Sequence, residues 1–140
     1  MAVASGYEIH AVGRVVSELT ETESAPRQGD EGAPDAWIEF EPGVVAALAD
    51  VAPGDRLVVL TWLDRADRDV VVVHPRGDPS RPPTGVFSTR SQHRPNPIGL
   101  HPVEVVEVDG RRLRVSGLEA VDGTPVVDLK PVLEGEISER

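Results

Sequence analysis

The side chains best suited to chemistry lie close together in the run Gly85-Val86-Phe87-Ser88-Thr89-Arg90-Ser91-Gln92-His93-Arg94-Pro95-Asn96-Pro97-Ile98-Gly99-Leu100. Arg90 and Arg94 each offer a planar guanidinium fork, a shape that matches a carboxylate or a phosphate. Asn96 adds two donors and an acceptor at one spot. Pro95 and Pro97 fix their own φ and push the residues before them, Arg94 and Asn96, into extended backbone. So rigid a run holds its polar groups in place, and groups already in place lose less entropy when they take a ligand. The simpler alternative is a tight turn into a strand, with two surface arginines in weak ion pairs.

A second polar cluster follows in Val121-Asp122-Gly123-Thr124-Pro125-Val126-Val127-Asp128-Leu129-Lys130-Pro131. Asp122-Gly123 is a turn signal. Pro125 and Pro131 bracket the run between them and fix its ends. In a strand, Asp128 and Lys130 flank Leu129 and share a face, as a buried pair or as a solvent-exposed salt bridge.

Several chemistries are absent from the pattern. No G-x-G-x-x-G opens a helix after a strand, no Walker A loop is present, and Ser88 and Ser91 lack a G-x-S-x-G setting. The chain has no cysteine, which removes disulfides, thiolate metal sites and cysteine nucleophiles and fits a cytoplasmic protein. Its four histidines are scattered without an H-x-x-x-H pattern, so no metal site is expected. No run is apolar and long enough to span a membrane, and Met1–Gly6 lacks the features of a signal peptide.

The net charge of −10 argues against a general nucleic-acid binder. The distribution qualifies this. From His74 to His101 there are four arginines (Arg76, Arg81, Arg90, Arg94) against the single acid Asp78, a local charge of +3, and three of the four histidines lie in the same window. The acids collect elsewhere, as in Glu18, Glu21, Glu23, Asp30 and Glu31.

The elements that must position these groups read mainly as strands. At 140 residues and 39% hydrophobic, the chain suits one small domain. Tyr7–Val16 is strand-like, Ser17–Pro34 is a long polar loop, and Trp37–Phe40 alternates. Gly43–Asp50 is the helix candidate, with Val44, Val45 and Leu48 on one face. Arg56–Leu63 and Val70–His74 are β-branched runs of strand length. Val103–Val108 alternates until the doublet Val105-Val106, which suggests a bulge. Asp109-Gly110 then signals a hairpin into Leu113–Leu118, and Asp122-Gly123 turns the chain into Val126–Leu129. The expectation is a mainly β fold: a small single-domain β-barrel with one short helix. Residues 1–6 and 134–140 should fray.

The Arg90–Leu100 and Val121–Pro131 motifs, in this order, resemble the TsaA-like or TrmO-type family, and the resemblance runs from Tyr7 to Leu133, the expected domain. It implies a non-Rossmann β-barrel enzyme that uses S-adenosyl-L-methionine to methylate N6-threonylcarbamoyladenosine beside the tRNA anticodon. It implies cofactor contacts at Pro26, Arg27, Gln28, Asp64, Arg90, Asn96, Leu100, Val121, Asp122, Gly123 and Thr124. Relatives carry a histidine near Leu63 that this chain lacks, and a leucine where Val121 stands. Methylating a weakly nucleophilic nitrogen calls for a base, for which Asp122 and Asp128 are candidates. Arg76, Arg81, Arg94 and Lys130 are candidates for contacts to tRNA, whose single-stranded loop can splay a base into a pocket. The family also implies a homodimer. Two alternatives keep the cofactor: a small-molecule methyltransferase, supported by the acidic net charge, and a non-catalytic binding module.

Overall fold

The computed structural model describes residues 5–18 and 35–133. Residues 1–4 and 134–140, most of the expected fraying ends, lie outside the described residues, as does the bulk of the Ser17–Pro34 loop. Among the described residues eight strands are formed: β1 Gly13–Val16, β2 Ala36–Phe40, β3 Arg56–Trp62, β4 Val72–Val73, β5 Thr84–Gly85, β6 Ile98–Asp109, β7 Arg112–Ser116 and β8 Pro125–Pro131. Six of them close into an antiparallel barrel in the order β1-β2-β7-β6-β3-β8. The expected barrel is therefore present. A separate ribbon pairs β4 with β5.

Alternation makes the barrel. β2 and β7 bury every second residue, so Ala36, Ile38, Phe40, Leu113 and Val115 point inward. Val15, Val59, Val103, Val105, Leu118 and Val126 complete an apolar interior. The Val105-Val106 doublet is a bulge: Val105 pairs with Val115 and Glu107 with Arg114, which leaves Val106 without a partner across the ladder. Asp109 pairs with Arg112 around the Gly110-Arg111 turn, and Gly110 has the positive φ of 60° that such a turn needs. The β8 boundaries coincide with the two prolines, Pro125 and Pro131.

Two expectations need correction. The run Tyr7–Val16 is a strand only from Gly13; Val12 still bonds to Val126 and Glu41, whereas Tyr7 and Ile9 are 86% and 56% exposed and pack on no strand. Val70–His74 reduces to the two residues of β4, because β5 offers only two partners. The expected short helix is present at Pro42–Leu48, as a 3-10 helix. Its Glu41 N-cap makes no side-chain capping bond, and Gly43 with the β-branched Val44 and Val45 disfavours α-helix propagation. Of the expected face Val44, Val45 and Leu48, Leu48 is buried and Val44 packs on the core, while Val45 is not part of the core cluster. Two further 3-10 turns occupy Pro75–Gly77 and Val86–Ser88.

Candidate functional site

The proline-locked turn is held from both sides. Arg94 turns its guanidinium inward and donates to the backbone carbonyls of Thr89 (3.0 Å), Ser91 (2.9 Å) and Val86 (2.9 Å). From the other side, Arg68 Nε donates to the Pro95 carbonyl at 2.7 Å and its Nη2 donates to Asn96 Oδ1 at 2.8 Å. The Arg68 guanidinium also lies 5.1 Å from the Trp62 ring centroid, within cation–π range. The Asp67 amide donates to His93 Nδ1 at 2.9 Å, and the Arg94 amide donates to the Asp67 carbonyl at 3.1 Å. The corner after β3 and the turn before β6 are thus laced together. With its acceptor engaged by Arg68, Asn96 is left to present its amide protons.

A small cleft of about 60 Å³ opens where three segments meet: Leu63, Asp64 and Arg65 after β3, Gln92 from the turn, and Ala120, Val121 and Thr124 before β8. Three cofactor candidates from the sequence, Asp64, Val121 and Thr124, share its lining. Asp122 and Gly123 occupy the turn between the last two. The Asp122 carboxylate accepts the Ser17 amide at 3.0 Å, and the Gly123 amide donates to the Val15 carbonyl at 2.7 Å. Thr124 is buried, and its hydroxyl donates to the Val121 carbonyl at 2.7 Å. Ser17 thereby enters the site at Asp122, and the Pro26-Arg27-Gln28 segment follows it in sequence; those three residues lie outside the described ones.

Arg90, Asn96 and Leu100 are not in the cleft lining. Arg90 is exposed, and among the described residues it has no hydrogen-bond or ion-pair partner. Leu100 is half-buried and pairs with Leu60 across the β3–β6 ladder. Asp128 and Lys130 form the solvent-exposed alternative: their side chains are 49% and 64% exposed and 3.3 Å apart, and Asp128 also accepts the Leu129 amide at 2.8 Å. Arg76 and Arg81 flank the β4–β5 ribbon. Arg76 holds a left-handed φ of 56°, uncommon for a side-chain-bearing residue, and Arg81 sits 3.8 Å from Asp78. Arg94, a candidate for tRNA contact, is committed to backbone carbonyls and holds the loop instead.

Sequence reasoning missed one constellation entirely. Thr61 on β3, His101 on β6 and Glu119 before β8 form a buried chain, with Thr61 Oγ1 2.8 Å from His101 Nε2 and His101 Nδ1 2.6 Å from Glu119 Oε1. The second Glu119 oxygen is buried without a hydrogen-bond partner. Gly99 makes room for this chain, since a Cβ there would collide with Thr61 Oγ1 and His101 Nε2. His101 stands two residues after Gly99 on one strand face, which hinted at proximity. Nothing local pointed to Glu119. Arg68 was missed for the same reason, its partners being 27 and 28 residues away.

Comparison with known proteins converges on this architecture. Residues 14–135 match the family of the tRNA-methyltransferase O N-terminal domain. A probable S-adenosyl-L-methionine-binding protein of Archaeoglobus fulgidus is 47% identical over 124 residues, covering 89% of this chain and 33% of that protein. A probable S-adenosyl-L-methionine-binding protein of Methanothermobacter thermautotrophicus is 43% identical, with 90% of each chain covered. A crystal structure of TrmO superposes with a TM-score of 0.77 at 27% identity, covering 99% of this chain and 62% of that one. TrmO from Pseudomonas aeruginosa gives a TM-score of 0.75 at 28% identity. The chain thus spans a third of the length of the Archaeoglobus protein and about three fifths of the TrmO chains. On the extent of the family match and the identity to these relatives, the chain belongs to the family of the tRNA-methyltransferase O N-terminal domain.

Proposed function

We propose that this chain binds S-adenosyl-L-methionine at the three-walled cleft and transfers its methyl group to N6-threonylcarbamoyladenosine in a tRNA anticodon loop. The observation that carries the reading is the convergence of Leu63–Arg65, Gln92 and Ala120–Thr124 on one cleft from separate parts of the chain. The donor set fits parts of the cofactor. Leu63, Ala120 and Val121 supply an apolar wall for a flat base, and Gln92 and Asp64 supply polar groups beside it. Arg90 offers an uncommitted guanidinium for a carboxylate. The cleft has room for a fragment of such a ligand, and Pro26, Arg27 and Gln28 remain candidate contacts by resemblance.

Bound S-adenosyl-L-methionine supplies a methyl group already activated by the sulfonium charge. The protein's part is to orient the acceptor nitrogen and to take its proton. Of the two candidate bases, Asp122 is the better placed, in the turn next to cleft-lining Val121, whereas Asp128 is tied to Lys130 on the outer face. Asp122→Asn keeps the acceptor for the Ser17 amide and removes the base. It should lower the methylation rate by about 100-fold or more with cofactor affinity retained. Arg76 and Arg81 are the proposed phosphate contacts. We place the protein in the cytoplasm as a homodimer, with the exposed Val71, Val72 and Phe87 as the candidate interface. Sedimentation of Phe87→Asp as a monomer, against a dimeric parent, would support that face.

A small-molecule acceptor is the second reading, favoured by the net charge of −10. The deciding assay combines the protein, labelled cofactor, and tRNA with or without the threonylcarbamoyl group. Label in the modified tRNA alone supports the proposal. Label entering only small metabolites of a cell extract supports the second reading and overturns the first.

A further inference from the structure

Among the described residues the buried polar side chains are Thr61, His101 and Thr124, and the first two are linked with Glu119 in one chain. Thr61 is fully buried, His101 is 5% exposed at its side chain, and Glu119 is 14% exposed. Burying such groups is costly, and a well-packed apolar set of similar shape would serve stability as well or better. Stability alone therefore gives no reason for this chain of groups to exist. Its location does. Thr61 stands two residues before Leu63, and Glu119 directly precedes Ala120. His101 lies on β6, the strand that the turn carrying Gln92 enters. Each of the three cleft walls thus continues from one member of the network. The backbone adds one bond to the same joint, from the Leu63 amide to the Pro97 carbonyl at 2.8 Å.

We propose that Thr61, His101 and Glu119 are positioning residues that fix the three walls of the cleft relative to one another. With the neutral His101 ring carrying its proton on Nδ1, both hydrogen bonds close: the Thr61 hydroxyl donates to Nε2, and Nδ1–H donates to Glu119 Oε1. In this tautomer both ring nitrogens and the hydroxyl proton are used. The only orphan is Glu119 Oε2, a buried acceptor next to cleft-lining Ala120. Gly99 is part of the device, because any side chain there would displace the Thr61–His101 bond. The reading of the cleft as a cofactor site is assumed for the binding arm of the test below and not for the exchange arm.

The test uses Thr61→Val, which keeps the shape and removes the donor, with Thr61→Ser as rescue. In the exchange arm, hydrogen exchange at the Leu63 and Thr124 amides should quicken in Thr61→Val by about tenfold or more beyond any change at the core amides of Leu113 and Val115. Thr61→Ser should restore the parent rates. In the binding arm, affinity for S-adenosyl-L-methionine by calorimetry should fall by about tenfold in Thr61→Val and return in Thr61→Ser, as should the lowered thermal midpoint that an unpaired His101 Nε2 brings. A lower midpoint with unchanged wall exchange would overturn the proposal and leave the network a plain core feature. If the parent binds no S-adenosyl-L-methionine, the cofactor reading fails, and the exchange rates alone decide the positioning role. Should Thr61→Val impair folding, Glu119→Gln is read by the same two arms, with the same outcomes for and against.

Discussion

Two arginines four positions apart do opposite work here. Arg94 spends its guanidinium on three backbone carbonyls, while Arg90 has no partner among the described residues. Arg94→Ala should therefore destabilise the fold by about 1–3 kcal/mol, since charge-assisted bonds to half-buried carbonyls are lost. Chemical denaturation measures it. Arg90→Ala should leave the denaturation midpoint unchanged and weaken cofactor binding by about tenfold or more, read by calorimetry. The reverse pattern would exchange their roles. Asp78 gives a pH-dependent case. The Ser80 hydroxyl and amide donate to its carboxylate at 2.7 and 2.9 Å, and these bonds hold its carboxyl below the ordinary value of 3.8. Arg81 and His74 add smaller effects in the same direction. A depressed pKa means that the contribution is present above the unfolded-state value and is lost as pH falls through the folded-state value. The Asp78 carboxyl carbon should accordingly titrate by NMR below 3.8, and in Ser80→Ala closer to it.

At the level of elements, what was legible in the sequence was local. The Val105-Val106 doublet forecast the β6 bulge, Asp109-Gly110 forecast its hairpin, and Pro125 and Pro131 forecast the ends of β8, because each signal is a backbone constraint carried by adjacent residues. The length of β1 and β4 was not legible, since a strand extends only as far as its partner does. Nor was the Thr61–His101–Glu119 chain, whose members are 40 and 18 residues apart and meet through the β3–β6 register and the segment between β7 and β8. The cleft fell between these cases: Asp64, Val121 and Thr124 were legible by resemblance, whereas Gln92 and Ala120 needed the fold. β8 supplies the element-scale prediction. Its Asp128–Lys130 bridge is exposed, so Lys130→Ala should change stability by no more than about 1 kcal/mol in thermal or chemical unfolding. A larger loss would mean that the pair is screened from water.

The whole molecule is acidic, yet its arginines are not spread evenly. Arg76 and Arg81 stand in the connection between β4 and β5, outside the barrel strands. If a nucleic acid is the partner, this window must carry the electrostatics against a net charge of −10. Binding of tRNA should then show a shallow salt dependence, with log K falling at about −0.7 per phosphate contact on single strands. Arg76→Ala and Arg81→Ala should each lower that slope by about one contact while cofactor affinity stays constant. A slope unaffected by both substitutions would place the phosphate contacts elsewhere on the surface.

The barrel has one narrow join. β1 meets β8 at only two residue pairs, Gly13 with Val126 and Arg14 with Pro125, reinforced by the Val12, Val15 and Gly123 backbone bonds. That join runs into the turn of the cleft, at Thr124. A clasp placed there makes keeping the ring shut and holding a ligand a single equilibrium, so an occupied cleft should guard the chain against being unzipped from its N-terminal strand. At a ligand concentration about a hundred times Kd, the added protection amounts to about 2.7 kcal/mol. Cleavage by a protease within β1 should slow in proportion, whereas cleavage at the β4–β5 ribbon, which lies outside the ring, should keep its rate.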